Sequence, residues 1–524
     1  MKIEIFDTTL RDGSQGAGVE FSRDDRVRVV HALDALGVSY IEAGMITGDG
    51  NAEELDELCR QTEGITAKLT VFTRTCRVGR TPEDSPFLVL TGKSLAPAAA
   101  VFGKAWLAHV TEILGTTAEE NLRMIRDSVA YLKACGKEVI FDAEHFFDGY
   151  SDNPEYAMAV LGAARDGGAD RLVLCDTNGG NLPDVIGMVT AAVTKKFTNV
   201  GIHCHNDMGM AVSCAISAVL SGAMHVQGTV SGIGERCGNA NLDTLIPVLQ
   251  LKLGFDCIGD RIVNLTKTAR TVREAANLSF NESEPFVGGY AFTHKAGTHI
   301  DGVMKTPRSF EHILPETVGN NRKILMSSLS GRAAFMDKMR TFFTHGGELS
   351  KDDPRVEKAA AVIREREADG YDYENADASL ELAIDEALGM RRHFFTLLGL
   401  KVIVNDQADG SEGFSASAII KISVDGREYL TAGEGNGPVN ALDEALRRAL
   451  TRFYPEIADM RLTDYRVRVL DSKATASMVR VSIESSDGRS VWRTIGVSSD
   501  VIHASWQALC DSVEFMLCRT HKEK

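Results

Sequence analysis

The first 250 residues alternate short β-rich apolar runs with stretches of helical period, and this alternation restricts the possible folds more than any other feature. The runs are 3–10 ("IEIFDTTL"), 39–44, 68–73, 98–103, 138–144, 171–177, 200–205 and 225–230. Helical patterns at 22–37, 117–135, 153–166, 182–195 and 208–222 separate most of them. The first of these has Ser22 as N-cap and a Gly stop at Gly37. Eight strands alternating with helices predict an α/β protein built on a (β/α)8 TIM barrel. An open doubly wound sheet is the alternative, but no GxGxxG follows the first run, which weakens its dinucleotide-binding form. The apolar segment 87–92 is assigned to the helix layer.

Beyond the barrel the pattern changes twice. Residues 266–390 read as helical linker subdomains, with a charged stretch at 351–377. Residues 391–524 carry an internal repeat, 398–450 and 463–513, each reading strand, strand, turn, strand, helix. The turns fall at Asp425-Gly426-Arg427 and Asp487-Gly488-Arg489. Two such β-β-β-α units can bury one sheet face each against the other's helices, which predicts a C-terminal α/β domain without a catalytic cluster. The expected division is therefore a catalytic barrel at 1–265, linker helices at 266–390 and a regulatory, dimerising domain at 391–524.

A formal net charge of −16 argues against nucleic acid or an anionic membrane as the main partner. Between Asp207 and Glu235 only Cys214 and His225 can ionise, yet polar residues interrupt the stretch too often for a membrane span. Ten scattered cysteines, with no CxxC and no secretory leader, predict a cytoplasmic protein.

The chemistry concentrates in "VGIHCHNDMGM" at 200–210. Residues two apart on a strand share a face, so His203 and His205 project together while Cys204 points into packing. A lone HxH is weak evidence. Its place at the end of the seventh strand strengthens it, because barrel active sites are built at the C-terminal strand ends. The end of the first strand adds Arg11 and Asp12 in "TTLRDGSQ". One carboxylate and two imidazoles with open positions suit a divalent cation used as a Lewis acid. Asn239, in "GERCGNAN" after the eighth strand, can add an amide oxygen.

"DTTLRDGSQ", "HCHND" and "GERCGNAN" together resemble the family of metal-dependent, acyl-CoA-condensing barrels. That family contains the 2-isopropylmalate, homocitrate and citramalate synthases, with hydroxymethylglutaryl-CoA lyase similar over the barrel alone. "NLRMIRDSVAYLK" (121–133), "FDAEHFFDGY" (141–150), "VLCDTNGG" (173–180) and "KAGTHIDGV" (295–303) are most similar to the citramalate branch. "EGNGPVNALDEALRRAL" and "TDYRVRVLD" resemble the family's regulatory domain.

The resemblance implies a condensation of acetyl-CoA with a 2-keto acid, pyruvate in the citramalate branch and 2-ketoisovalerate in the isopropylmalate alternative. It implies Asp12, His203, His205 and Asn239 at a divalent metal (Mg²⁺, Mn²⁺ or Zn²⁺), with Arg11 on the keto oxygen and Thr177 on the keto acid's carboxylate. It implies His299 as the base on acetyl-CoA, with Glu144 as its carboxylate partner. His299 would act in the neighbouring subunit, making a domain-exchanged homodimer. His294 is the decoy beside His299, and His145 is structural. Asp142 departs from the tyrosine found at its place in shorter citramalate synthases, so the pocket around Phe72, Arg74 and Phe102 does not carry over. An amino-acid effector, isoleucine if the product path leads there, is implied for the C-terminal domain. A lyase or a non-catalytic sensor is disfavoured by that domain and by the intact residue set respectively.

Overall fold

A computed structural model describes residues 2–295, 297–324, 353–405, 415–470, 477–488 and 490–521. It forms two compact units, one of residues 1–292 and 312–322, the other of 293–311 and 323–524. Among the described residues no helix is long and apolar enough to cross a membrane.

The first unit is a closed barrel of eight parallel strands in sequence order. They are β1 (Glu4–Asp7), β2 (Tyr40–Met45), β3 (Lys68–Arg74), β4 (Ala98–Lys104), β5 (Glu138–Glu144), β6 (Arg171–Asp176), β7 (Val200–Cys204) and β8 (His225–Gly228). All eight expected strands are present. Residues 87–92 fall within helix Pro86–Lys93, in the outer layer as expected. Helix Arg23–Leu36 opens on a capping box between Ser22 and Asp25 and ends at Gly37 with φ 94°, a left-handed conformation that glycine adopts without cost.

Alternation along each strand sorts the side chains. Ile5, Ile41, Val71, Val101, Phe141, Leu174, Ile202 and Val226 face the helices and form the main core. Phe6, Tyr40, Phe72, Ala100, Ile140, Val173 and Cys175 fill the lumen. The same period carries His203 and Gln227 inward as partners in register on β7 and β8.

The second unit contains both repeats. Strands Thr396–Asn405, Ser415–Val424 and Arg427–Gly435 form one antiparallel sheet, and Arg461–Val469, Val479–Ser486 and Val491–Ser498 another. Helix Pro438–Leu450 follows the first sheet and helix Val501–Thr520 the second. Asp425 and Gly426 both have positive φ, the conformation a tight two-residue hairpin requires. In the second repeat Gly488 also has positive φ, while Arg489 lies outside the described residues, as do Lys351 and Asp352 of the charged stretch. Every second residue from Ala416 to Val424 is buried, and both helices share one core with Trp492 and Trp506. Helices Pro354–Ala368 and Asp377–Ala387 pack around Tyr373 in a smaller cluster.

At the N-terminal end of the barrel, Glu4 joins three strands. Arg171 donates to it through two nitrogens, at 2.7 and 2.6 Å, and His225 Nδ1 lies 3.4 Å away. Burial works against charge on Glu4, but these contacts outweigh it and hold its carboxyl well below the usual range. A depressed folded-state pKa gives stability that is complete at neutral pH and lost as pH falls below about 4. We expect Glu4→Gln to cost the barrel about 2 kcal/mol in urea unfolding at pH 7, and much less at pH 3. An equal loss at both pH values would show that the ion pair is not the source.

Candidate metal and catalytic centre

At the C-terminal end of β1 the chain turns sharply, and the amides of Arg11, Asp12 and Gly13 all donate to the Thr8 carbonyl. Thr9 fixes this turn from below. It donates to both oxygens of the buried Asp7 (3.0 and 2.8 Å) and accepts from the Val230 amide at the end of β8. The turn thus delivers Asp12, only 2% exposed, into the mouth of the barrel.

There Asp12 meets the two histidines. Its Oδ2 lies 3.3 Å from His203 Nε2 and 3.9 Å from His205 Nε2, and the two imidazole nitrogens are 3.3 Å apart. All three side chains are buried, and their ligand atoms lie within 4.8 Å of one another. Burial disfavours charge on both rings. Asp12 more than offsets this at His203 and raises it, whereas burial, with His203 beside it, lowers His205 to about 4. Asp12 is held well below the carboxylate range, because Arg11 and the histidines outweigh its burial.

The loop after β8 completes the mouth. Its residues 238–240 run antiparallel to the end of β7, with the Asn206 amide on the Gly238 carbonyl and the Ala240 amide on Cys204. Asn239 thereby pairs with His205 in an isolated bridge. Its Nδ2 donates to Ile233, and its buried Oδ1 has no hydrogen-bond partner. Glycines make this approach possible. A Cβ on Gly238, at φ 86°, would sit 1.9 Å from the Gly232 carbonyl oxygen, and one on Gly234 2.2 Å from Asn239 Nδ2. Two imidazole nitrogens and one carboxylate oxygen are brought to one place, and that donor set fits a divalent cation.

Arg11 is fixed beside the cluster. Its Nε donates to the fully buried Glu42 at 2.6 Å, and Nη1 lies 3.5 Å from Asp12. Its guanidinium sits 4.0 Å over the ring of Phe72, which stacks on Phe102 at 5.3 Å. Burial raises Glu42 to about 7, against the pull of Arg11. Arg74 turns away and lies over Phe87 of the outer helix.

The other expected residues are distributed more widely. Glu144 ends β5 and pairs with Lys104 at the end of β4. The Thr177 hydroxyl accepts from the His145 amide at 2.9 Å, where His145 leaves the strand with φ 56°. His145 itself bonds to Asp148 and stacks edge-on against His109. His299 is exposed on helix Gly297–Lys305 of the second unit, its ring stacked on Phe310 at 4.2 Å. His294, in the same unit, is buried and bonded to Glu311 at 3.1 Å.

Several residues of the centre have no role assigned from the sequence, although Asp142 and Arg236 lie within quoted motifs. Gln227 accepts from His203 Nδ1 at 2.9 Å and donates to Asp142 at 3.0 Å. Burial raises the Asp142 carboxyl, while His203, Arg11 and the Gln227 amide oppose that. Arg236 donates to both oxygens of Asp207 and to the Thr177 carbonyl, tying together the loops after β6, β7 and β8. Pairing across strands, invisible along the chain, is what places these groups.

A parallel eight-stranded barrel with a carboxylate and two imidazoles at its C-terminal mouth has the architecture of a metal-assisted barrel enzyme. Residues 2–274 match the HMGL-like family, 286–366 the homocitrate synthase post-HMGL domain-like family, and 374–517 the LeuA allosteric (dimerisation) domain. An (R)-citramalate synthase of Aquifex aeolicus is 46% identical over 100% of this chain and 99% of that protein. One from Geobacter sulfurreducens is 43% identical over 99% of this chain and 98% of its own length, and one from Synechocystis 42% over 98% and 96%. The chain belongs to the (R)-citramalate synthase family.

Removing a ligand atom from this cluster has a direct readout. We expect His203→Ala to abolish stoichiometric Mn²⁺ binding by the purified protein while leaving its circular dichroism unchanged. Mn²⁺ binding at wild-type affinity in that variant would exclude the cluster as the metal site.

Proposed function

We propose that this protein is an (R)-citramalate synthase, condensing acetyl-CoA with pyruvate and water to give (R)-citramalate and CoA. The observation that carries this reading is full-length similarity to (R)-citramalate synthases combined with a buried Asp12, His203 and His205 cluster. The same evidence favours pyruvate over 2-ketoisovalerate, the substrate of the isopropylmalate alternative. We divide the chain functionally into a catalytic part (1–265), linking helices (266–390) and a regulatory, dimerising part (391–524). Ten free thiols fit a reducing cytoplasm.

Asp12, His203 and His205, with the Asn239 amide oxygen, would hold Mg²⁺, Mn²⁺ or Zn²⁺, which when bound supplies Lewis-acid polarisation of the keto carbonyl. Arg11, held by Glu42, donates to the keto oxygen as negative charge develops there, a role worth about 10²–10³ in rate. The Thr177 oxygen already accepts a hydrogen bond, so its own O–H is free to donate to the pyruvate carboxylate. His299 removes a methyl proton from acetyl-CoA, and the resulting carbanion bonds to the keto carbon as its C=O π pair moves to oxygen, which then takes up a proton to become the hydroxyl. Water then cleaves the thioester, and CoA leaves as the thiol.

Glu144 orients and charges the imidazole of His299. We assign that pairing to two subunits, with the base supplied by His299 of the partner subunit. Glu144 would exchange Lys104 for this imidazole when the two meet. Glu144→Gln and His299→Ala should each be inactive alone. Mixed and reassociated, they should recover roughly a quarter of wild-type activity, because half the dimers then hold one intact site. Persistent inactivity of the mixture, with both variants folded and dimeric, would place base and carboxylate in one chain.

Isoleucine is the proposed effector of the C-terminal part. A cleft of about 580 Å³ there, lined by Asn440, Asp443, Arg447 and Tyr465 among others, is large enough for an amino acid. CoA release by the purified protein with Mn²⁺ should be strong with pyruvate, at least tenfold weaker with 2-ketoisovalerate, and lowered by millimolar isoleucine. Preference for 2-ketoisovalerate would make the protein an isopropylmalate synthase. Indifference to isoleucine would remove it as the effector.

A further inference from the structure

We propose that Gln227 and Asp142 fix the ring tautomer of His203 and thereby keep its Nε2 available as a metal ligand. This rests on the metal-site reading above and adds two positioning residues to it.

The two residues and His203 form a short chain of hydrogen bonds across the barrel mouth, from β7 to β8 to β5. His203 is 6% exposed, Gln227 1% and Asp142 4%, so water does not compete for these contacts. The distances are 2.9 Å between His203 Nδ1 and Gln227 Oε1, and 3.0 Å between Gln227 Nε2 and Asp142 Oδ1.

The direction of the chain follows from the orientation of the amide. Gln227 Nε2 faces Asp142 and donates to its Oδ1. That turns the amide oxygen toward His203, where only an N–H on Nδ1 satisfies it. A neutral imidazole has one ring proton, so the lone pair is left on Nε2. Nε2 is the atom 3.3 Å from Asp12 Oδ2 and from His205 Nε2. Without this constraint the ring gains by the opposite choice, since a proton on Nε2 could bond to Asp12. That tautomer cannot ligate a cation through Nε2. Gln227 and Asp142 therefore exclude the state that the ligand cluster alone would favour.

Side-chain ¹⁵N NMR of the metal-free, ¹⁵N-histidine-labelled protein reads the tautomer directly, and Mn²⁺ titration reads the affinity. At alkaline pH, where the ring is neutral, wild-type His203 should carry its single proton on Nδ1. Gln227→Leu should lose that signature and bind Mn²⁺ about 10–100-fold more weakly. Asp142→Asn leaves the Gln227 amide free to turn over, giving mixed tautomers and an intermediate affinity. The double variant Gln227→Glu/Asp142→Asn again offers His203 only an acceptor, and should restore both the Nδ1–H signal and affinity to within a few-fold. This pair carries the test should Gln227→Leu not fold.

A wild-type His203 protonated on Nε2 would overturn the inference, as would unchanged tautomer and affinity in Asp142→Asn. Failure of the double variant to recover either property would overturn it as well. Absence of Mn²⁺ binding by the wild type would instead defeat the metal reading, leaving the tautomer spectrum to report on the hydrogen-bond chain by itself.

Discussion

Three buried carboxylates at the mouth of this barrel surround the guanidinium of Arg11, and the metal cluster is arranged around that imbalance. Asp12, Glu42 and Asp142 are at most 4% exposed, and Arg11 is the cation that acts on all three. With both histidines neutral the cluster has a formal charge of −2. Isolated buried charge is costly, so such a group must gain a counter-charge or take up protons. A divalent cation among Asp12, His203 and His205 brings the sum to zero. Without one, protons are the available substitute. The direction of the shifts shows that pressure, with Glu42 raised to about 7 by burial and His203 raised by Asp12.

Barrel closure is what brings these charges together. Parallel strands in sequence order place alternate side chains in a lumen that holds only a few layers. At the lower end the layer is ionic but balanced, with Glu4 and Glu138 facing Arg171 and Lys68. The middle is apolar, from Phe6 to Cys175. The upper layer is left unbalanced by one cation's worth of charge. Stability is built at one end and chemistry at the other, on the same strands, separated by a plug that excludes water between them.

Much of this was legible along the chain. Alternating periods specified eight strands and their helices, and period two on "IHCH" placed both histidines on one face before any register was known. The two Asp-Gly turns and the repeat specified the C-terminal sheets. Other features depend on which strands become neighbours. Gln227 is a polar residue in "HVQG" until register sets it opposite His203, and Asp142 reaches it only across the lumen. Lys104 carries no motif, yet it is the group that pairs with Glu144. Arg74, equally open to a pocket or a packing role from sequence, lies over the aromatic face of Phe87 in the outer layer.

The choice of an amide at position 227 follows from the same electrostatic constraint. Metal-bound histidines commonly donate their second N–H to a carboxylate, which fixes the tautomer and raises ligand basicity. A carboxylate at 227 would stand about 3 Å from Asp142 and make the lumen still more negative, a like-charge contact that burial amplifies. Glutamine passes the acceptor character of Asp142 to His203 without adding charge, because its two ends have opposite polarity. The carboxylate that sets the tautomer can then sit one residue further away, where Arg11 also acts on it. Arg11 consequently serves three acidic groups from one position, and its packing on Phe72 keeps it there with Nη1 beside Asp12.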